Sequence, residues 1–340
     1  MTDFFSPDYR TARDRFRSGV LAADGQIESI LLDAKGPAEE DLTIDIGWFG
    51  SPRPRRAFVH SSGLHGVEGF AGSAIQLQWL EEENLEPGPD CAIALVHAMN
   101  PFGMAWLRRV NENNVDLNRN FLGGDEEYTG APEGYAALDP FLNPESPPTR
   151  DFFLVRAARN ILRCGVAEFR RAVSSGQYDF PRGLYFGGKQ HEQATRRFQL
   201  YISERLVEAE HVAVIDVHTG LGRFGKDTLL VDGAEARGDL HGLYRRMFPG
   251  ASVRFAKQQF GVCGGATLLA TLRSENRQHH YAPAGRDHPA KKRMRQVFCP
   301  EDKKWREMVL SRGKEVIAQW LRLAFEESPA SAAADSVTAD

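Results

Sequence analysis

An α/β fold with a mixed, mostly parallel central sheet flanked by helices is what this sequence predicts, on three observations. A short apolar strand, Ala57 to His60, leads through a glycine-rich turn into an amphipathic helix, Ala71 to Glu83, and then into a second apolar strand, Ala92 to His97. That strand–helix–strand order is the signature of parallel pairing with a crossover helix. Another helix, Gln193 to Glu208, feeds a further apolar strand, His211 to Val217. The chain has 340 residues, enough to bury a large core in one unit.

The remaining elements follow from spacing and punctuation. Tyr9 to Ala22 has helical spacing with mixed charge. Leu42 to Trp48 alternates as an edge strand does, with Leu42, Ile44 and Ile46 on one face. Ile75, Leu77, Trp79 and Leu80 form the apolar side of the 71–83 helix, which Glu86-Pro87-Gly88-Pro89-Asp90 stops. Gly123 to Arg150 is rich in Gly, Pro, Asp and Glu and reads as a long irregular excursion of the kind that shapes clefts. Asp151 to Val173 reads as one helix, and Gln177 to Gly188 as a turn-rich segment. Leu229 to Asp232 and Ser252 to Phe255 are expected strands, and Ala266 to Arg277 and Trp305 to Phe325 expected helices. No internal repeat or linker divides the chain. The expectation is a single domain over residues 1–326 and a disordered Ala, Ser and Asp-rich tail over 327–340.

A formal charge of -4 gives no electrostatic case for nucleic acid or an anionic membrane as partner. No apolar run approaches the roughly 20 residues that span a bilayer. The start, Met1-Thr2-Asp3-Phe4-Phe5, lacks the basic and apolar regions of a secretory signal. Cys91, Cys164, Cys263 and Cys299 lie far apart, with neither zinc-knuckle nor disulfide spacing. A cytoplasmic protein with reduced thiols is the reading.

His65 and Glu68 stand three apart in the turn after the 57–60 strand. An imidazole and a carboxylate so spaced can share one divalent ion if a strand end turns into a helix between them. A catalytic zinc takes three protein ligands and keeps a fourth position open, so a third ligand must come from another strand end. His218 suits this, because it follows the 211–217 strand where clefts of α/β sheets form. His60 and His97 read as satisfied strand histidines, and His279, His280 and His288 as a solvated helix end beside Lys291 and Arg293. Arg108 and Arg109 precede Asn118 and Arg119 by about ten residues. A guanidinium with an adjacent amide grips a carboxylate through parallel hydrogen bonds. Asp116 is placed to accept the outer N–H of a ligand histidine.

These elements, in this order, resemble the zinc carboxypeptidase superfamily, which includes the aspartoacylase and succinylglutamate desuccinylase branch. The nearest likeness is to a bacterial carboxypeptidase-like branch of unknown function. It rests on Phe5-Ser6-Pro7-Asp8-Tyr9, on Arg108-Arg109-Val110 through Asn120-Phe121, on Gln177-Tyr178 with Gly187-Gly188, and on Asp216-x-His218-Thr219-Gly220-Leu221-Gly222. The resemblance implies one zinc ion on His65, Glu68 and His218, with Asp116 behind a ligand histidine. It implies that Asn118 and Arg119 bind a substrate carboxylate and that Arg109 polarises the scissile carbonyl, with Arg108 close enough to compete. Tyr185 is a possible substrate contact. The implied partner is a small molecule or peptide with a free carboxylate.

One departure stands out. The superfamily carries a catalytic glutamate on a late strand, and the matching stretch here is Lys257-Gln258-Gln259-Phe260-Gly261. A glutamine amide cannot take a proton at neutral pH. Three explanations stay open: an inactivated variant, a natural member with another base (Glu275 being the nearest in sequence), or a chain that kept ligand binding and lost hydrolysis. The expected function is a zinc-dependent amide hydrolase acting next to a carboxylate, a carboxypeptidase or an N-acyl amino acid deacylase. The alternative is a non-hydrolytic zinc-containing binding protein.

Overall fold

The computed structural model describes residues 3–232, 236–282 and 285–325. The expected tail, 327–340, lies outside them. The described residues form seven strands: β1 (Gln26–Lys35), β2 (Asp41–Gly50), β3 (Arg56–Ser62), β4 (Cys91–His97), β5 (His211–Leu221), β6 (Asp227–Val231) and β7 (Ser252–Cys263). They make one sheet in the order β1-β2-β4-β3-β5-β7-β6. The four central strands, β4, β3, β5 and β7, run parallel, while β1, β2 and β6 join antiparallel at the two sides. This is the mixed sheet with a parallel centre that the sequence predicts.

The helices are α1 (Tyr9–Ala22), α2 (Gly69–Glu82), α3 (Pro101–Ala105), α4 (Tyr135–Leu142), α5 (Phe153–Cys164), α6 (Val166–Ser174), α7 (Gln193–Arg205), α8 (Leu240–Met247), α9 (Gly265–Tyr281), α10 (Pro289–Phe298) and α11 (Lys303–Phe325). Alternation along each central strand splits its side chains between two cores. Phe58, Ile93, Leu95, Ala213 and Ile215 join a core with Phe16 of α1, Ile75 of α2, Met294 of α10 and Trp320 of α11. Val59, Ala94, Val96, Val212 and Val214 enter the opposite core with Phe198 and Ile202 of α7 and Leu243 of α8. Both faces are covered, so these strands read as unbroken apolar runs. Each fully buried Phe, Ile or Val side chain contributes roughly 1.5–3 kcal/mol.

Helix α1 starts where Asp8 caps it, its side chain accepting from Thr11 N at 2.8 Å. Tyr9, Ala12, Phe16 and Val20 then line its buried face. Arg17 of the same helix pairs with buried Asp45 of β2 at 2.8 Å.

Several elements differ from expectation. β2 is not an edge strand: β1, whose apolar residues cluster as Ile30-Leu31-Leu32 rather than alternate, pairs outside it. Ile44 and Ile46 share one core, whereas Leu42 packs in the other. The excursion at 123–150 contains α4. The expected helix over 151–173 is two, broken at Gly165, whose φ of 85° no helix continues through. β7 runs to Cys263 and so carries Gln259 inside the sheet.

The turn after β3 depends on close backbone approach. Gly66 N donates to Arg109 O at 3.1 Å and Val67 N to Arg108 O at 2.8 Å, which clips the turn to the segment after α3. A Cβ on Gly66 would lie 2.1 Å from the carbonyl carbon of Gly103. Gly66→Ala is therefore expected to destabilise the fold by about 1–3 kcal/mol and to weaken metal binding with it. Urea denaturation and metal analysis on the same preparation check both.

Candidate metal centre

Strands β3 and β5 are parallel neighbours, with Ser61 opposite Asp216 and Ser62 opposite Val217. Their carboxyl ends therefore open at the same edge of the sheet. After β3, Gly63 (φ 69°) turns the chain, His65 follows, and a 3-10 turn over Gly66–Glu68 passes into α2. His218 lies near the end of β5. All three side chains are buried.

Their ligand atoms converge. His65 Nδ1 is 3.1 Å from His218 Nδ1 and 3.1 Å from Glu68 Oε1, and His218 Nδ1 is 3.3 Å from Glu68 Oε2. Among the described residues this is the group of His, Cys, Asp and Glu placed to hold an ion. The outer ring nitrogens explain why an ion is needed. His218 Nε2 faces Asp216 Oδ2, and His65 Nε2 faces Asp116 Oδ1 at 3.1 Å. Carboxylates accept only, so each ring gives its proton outward and turns a bare Nδ1 inward. Two lone pairs and a carboxylate oxygen then point at one another, which only a cation relieves. A tetrahedron with zinc-to-nitrogen arms of about 2.0–2.1 Å has edges of roughly 3.3–3.4 Å, close to the separations found. The donor set and spacing fit zinc.

Electrostatics keep the carboxylates ionised. Burial pushes the Glu68 carboxyl up, but in the metal-free chain protonated His65 and His218 outweigh it and hold its pKa well below the ordinary range; a bound ion would take the place of their inward protons and supply the same opposing charge. Burial likewise opposes ionisation of Asp116 and Asp216. Arg109 and His65 overcome it at Asp116, and His218 at Asp216. Glu68 is also fixed by Thr219 N, which donates to Oε2 at 3.0 Å. Ser61 Oγ donates to Asp216 Oδ1 at 2.8 Å. Asp216 had no role in the sequence reading. The available signal was Asp216-Val217-His218, since residues two apart on a strand share a face.

Arg109 reaches the cluster. Its Nη1 pairs with Asp116, its Nε lies 3.7 Å from Glu68 Oε1, and its Nη2 is 2.6 Å from His65 Nε2. Two donors facing each other repel, so with the Nε2 proton in place Arg109 holds on through Asp116. Its guanidinium lies over the Tyr185 ring, 5.9 Å from the centroid. Tyr185 has φ 63°, a strained conformation for an aromatic residue that aims its ring at this arginine. Asn118 is buried, and its Oδ1 accepts from Leu240 N at 3.2 Å. Arg119 donates to Asn118 O at 2.6 Å and Ser174 O at 3.2 Å. It also borders a cavity of about 420 Å³ shared with Gly130, Gly176, Tyr178 and Arg237. Gln259 of β7 stands directly opposite His218 of β5. Its Nε2 is buried with no hydrogen-bond partner among the described residues.

Two expected site residues are placed elsewhere. Arg108 is fully buried, donating to Glu275 Oε1 and to Asn114 Oδ1, each at 2.8 Å. Glu275 also pairs with buried Lys291. Arg108 is thus committed to Glu275 and Asn114 and does not reach the cluster as Arg109 does, and Glu275 is held by two cations rather than standing as a free base. Burial alone would raise the Glu275 pKa, but Arg108 and Lys291 bring it down to about 2. His60 and His97 are buried inside strands, bonded to Gln76 at 3.2 Å and Ser73 at 3.0 Å. His279 and His280 end α9 partly buried, not solvated.

The fold and site together define an α/β protein with a two-histidine, one-glutamate cluster suited to a metal ion at the carboxyl edge of its sheet. The chain belongs to the family described as protein of unknown function DUF2817, which it matches over residues 5–247 and 233–312. No curated protein matches it. Among solved structures it is similar to carboxypeptidase A from Helicoverpa armigera, at 11% identity and a TM-score of 0.46, covering 96% of this chain and 76% of that one. It is similar to a succinylglutamate desuccinylase from Silicibacter sp., at 11% identity and a TM-score of 0.38, covering 76% of this chain and 67% of that one. A murein-tripeptide amidase from Escherichia coli O157 is similar at 13% identity and a TM-score of 0.35, over 76% of this chain and 93% of that one. Among the described residues no helix is long and apolar enough to cross a membrane.

Asp216→Asn is expected to weaken zinc binding by about 10–100-fold, read by chelator competition, with the fold intact. Glu275→Gln is expected to do the reverse. Stranding two buried cations costs about 3–5 kcal/mol, while zinc stoichiometry stays the same. The folded pKa of Glu275 lies below its ordinary value of 4.5, so its contribution is present at neutral pH and is lost as pH falls from 4.5 toward about 2. Denaturation curves across that window should be flatter for the variant.

Proposed function

We propose that the chain is a zinc-dependent amide hydrolase acting beside a substrate carboxylate, either a carboxypeptidase or a deacylase of N-acyl amino acids. The observation that carries this reading is the convergence of the bare Nδ1 atoms of His65 and His218 with Glu68. Bound there, the ion would supply Lewis-acid polarisation of an amide carbonyl and a more acidic water.

The chain's own residues do the rest. Asn118 and Arg119 grip the substrate carboxylate and set the register of the scissile bond. Asn118 keeps its Nδ2 as the donor, because its Oδ1 is taken by Leu240 N. Arg109 stabilises the negative charge that develops on the carbonyl oxygen, and Asp116 keeps that guanidinium at the cluster. Tyr185 walls the same side. The excursion after residue 123 supplies Gly130, Ala131 and Pro132 to the cavity beside Arg119, where the rest of a substrate can lie.

Position 259 is where proton transfer belongs. As glutamine it donates a hydrogen bond and accepts no proton. Its buried, unpartnered Nε2 supports a second reading, in which the site binds a carbonyl-bearing ligand without cleaving it. The test is Gln259→Glu with zinc loaded, assayed on N-acyl amino acids and short peptides. The hydrolase reading expects metal-dependent cleavage about 10²–10⁴-fold above the native chain. Cleavage by neither form, with zinc and carboxylates still bound, supports the binding protein.

A further inference from the structure

Helix α5 carries two apolar stripes, and the fold uses one of them. Phe153, Ala157 and Ile161, spaced four apart, pack toward the core, with the Phe153 ring stacked on Phe141 of α4. Leu154, Ala158 and Leu162 repeat that spacing one residue later, and all three are exposed. Leu162 is 87% exposed, Val155 lies two turns before it on the same side, and no residue of α5 is fully buried. Phe152 precedes the helix with φ 51°, a strained conformation for an aromatic residue, and is 80% exposed. Val166, just past Gly165, is exposed as well. Scattered apolar residues on a surface need no explanation, whereas a contiguous ridge marks an interaction face.

The rim of the ridge is basic. Residues 150–174 hold six arginines and two acids. Asp151 is taken by Arg273 and Arg277, and Glu168 is half-buried. Arg159 and Arg163 follow Val155 by four and eight residues, so they flank the apolar stripe on one side. These two, with Arg150, Arg170 and Arg171, are exposed and form no ion pair among the described residues. Apolar side chains along a protruding ridge, with guanidinium groups beside them, match the layers of an anionic membrane, in which phosphates overlie acyl chains. Arginine stems can lie along the apolar boundary while their heads reach the phosphates. A second copy fits less well: a two-fold axis at Ala158 would bring Arg159 of both chains together, with no carboxylate in α5 to separate them. The overall charge of -4 averages over the whole surface and does not report this patch.

We propose that the α5 face docks on an anionic membrane surface, with Phe152, Leu154 and Leu162 entering the acyl boundary and Arg159 and Arg163 contacting lipid phosphates. The association is peripheral and reversible, since only one short ridge inserts. α6 leads from this face to Ser174, Ser175 and Gly176, which border the cavity beside Arg119, so the docking ridge and the cavity wall belong to one excursion of the chain. The inference stands apart from the amide-hydrolase reading and requires no turnover.

The test is co-sedimentation of the full chain with vesicles of phosphatidylcholine alone and of an equal mixture of phosphatidylcholine and phosphatidylglycerol. The native chain should bind the anionic vesicles at least about tenfold more tightly, since each arginine near such a surface contributes about fivefold. Added salt should erode that margin. Leu154→Ser with Leu162→Ser should weaken binding to the anionic vesicles by at least about tenfold. Arg159→Gln with Arg163→Gln should weaken it similarly and change nothing on the neutral ones. All four positions are exposed, and an unchanged urea midpoint verifies that the fold is kept. No binding by the native chain, equal binding to the two vesicle types, or binding that survives the serine pair overturns the assignment. So does a dimer in sedimentation velocity that the serine pair dissolves, because a second copy then covers the ridge. The native comparison stands without the variants.

Discussion

Three acceptor atoms facing one another inside a protein are the constraint on which the rest of this structure turns. Each imidazole is made to present a lone pair inward because an aspartate takes its proton on the outer side. Those aspartates are buried, and they stay ionised because cations and the rings stand against them. The arrangement needs β3 and β5 side by side and parallel, since only then do the turn after one strand and the end of the other meet. It also needs α3 and the segment after it, which clip that turn through backbone hydrogen bonds at Gly66 and Val67. Sheet pairing, turn chemistry and metal-site electrostatics are thus one problem with one solution.

The buried charges divide by task. Arg108, Glu275 and Lys291 neutralise one another and tie α9 and α10 to the segment that follows α3. Their cost in desolvation is met inside the triad, which leaves nothing for chemistry. Arg109, the next residue in the chain, is only partly buried and sits with Asp116, Glu68 and Tyr185 at the cluster. Adjacent arginines thus serve opposite ends, one holding the wall and the other facing the cleft. Arg119 donates to the backbone carbonyls of Asn118 and Ser174 rather than to a carboxylate.

Much of this was legible in the chain. The apolar runs of β3, β4 and β5 announce strands covered on both faces, and the spacing of α1, α2 and α11 announces helices. His65, Glu68 and His218 were visible because their residue types and strand-end positions suit a single ion. What stayed hidden had weak local signals. β1 carries contiguous apolar residues among charges, so no period betrays it. α4 sits in a stretch dense with turn formers. Gly165 divides what spacing alone joins. Arg108 and Arg109 cannot be told apart in sequence, because burial separates them and burial is a property of the packed chain.

By itself the sequence determined which atoms are capable of chemistry: the ligand types, an Asn-Arg pair whose donors suit a carboxylate, and a glutamine where a proton acceptor is expected. It also determined that the sheet would be parallel at its centre, because strand and helix periods alternate along the chain and local periodicity is written in neighbouring residues. Only the tertiary structure decided which of those atoms meet. Glu275 was paired with Arg108 and Lys291, and Asp216 was set behind His218. Such assignments depend on distances between residues far apart in the chain. Those distances follow from strand register and from the cost of burying unpaired charge, neither of which any short stretch of sequence contains.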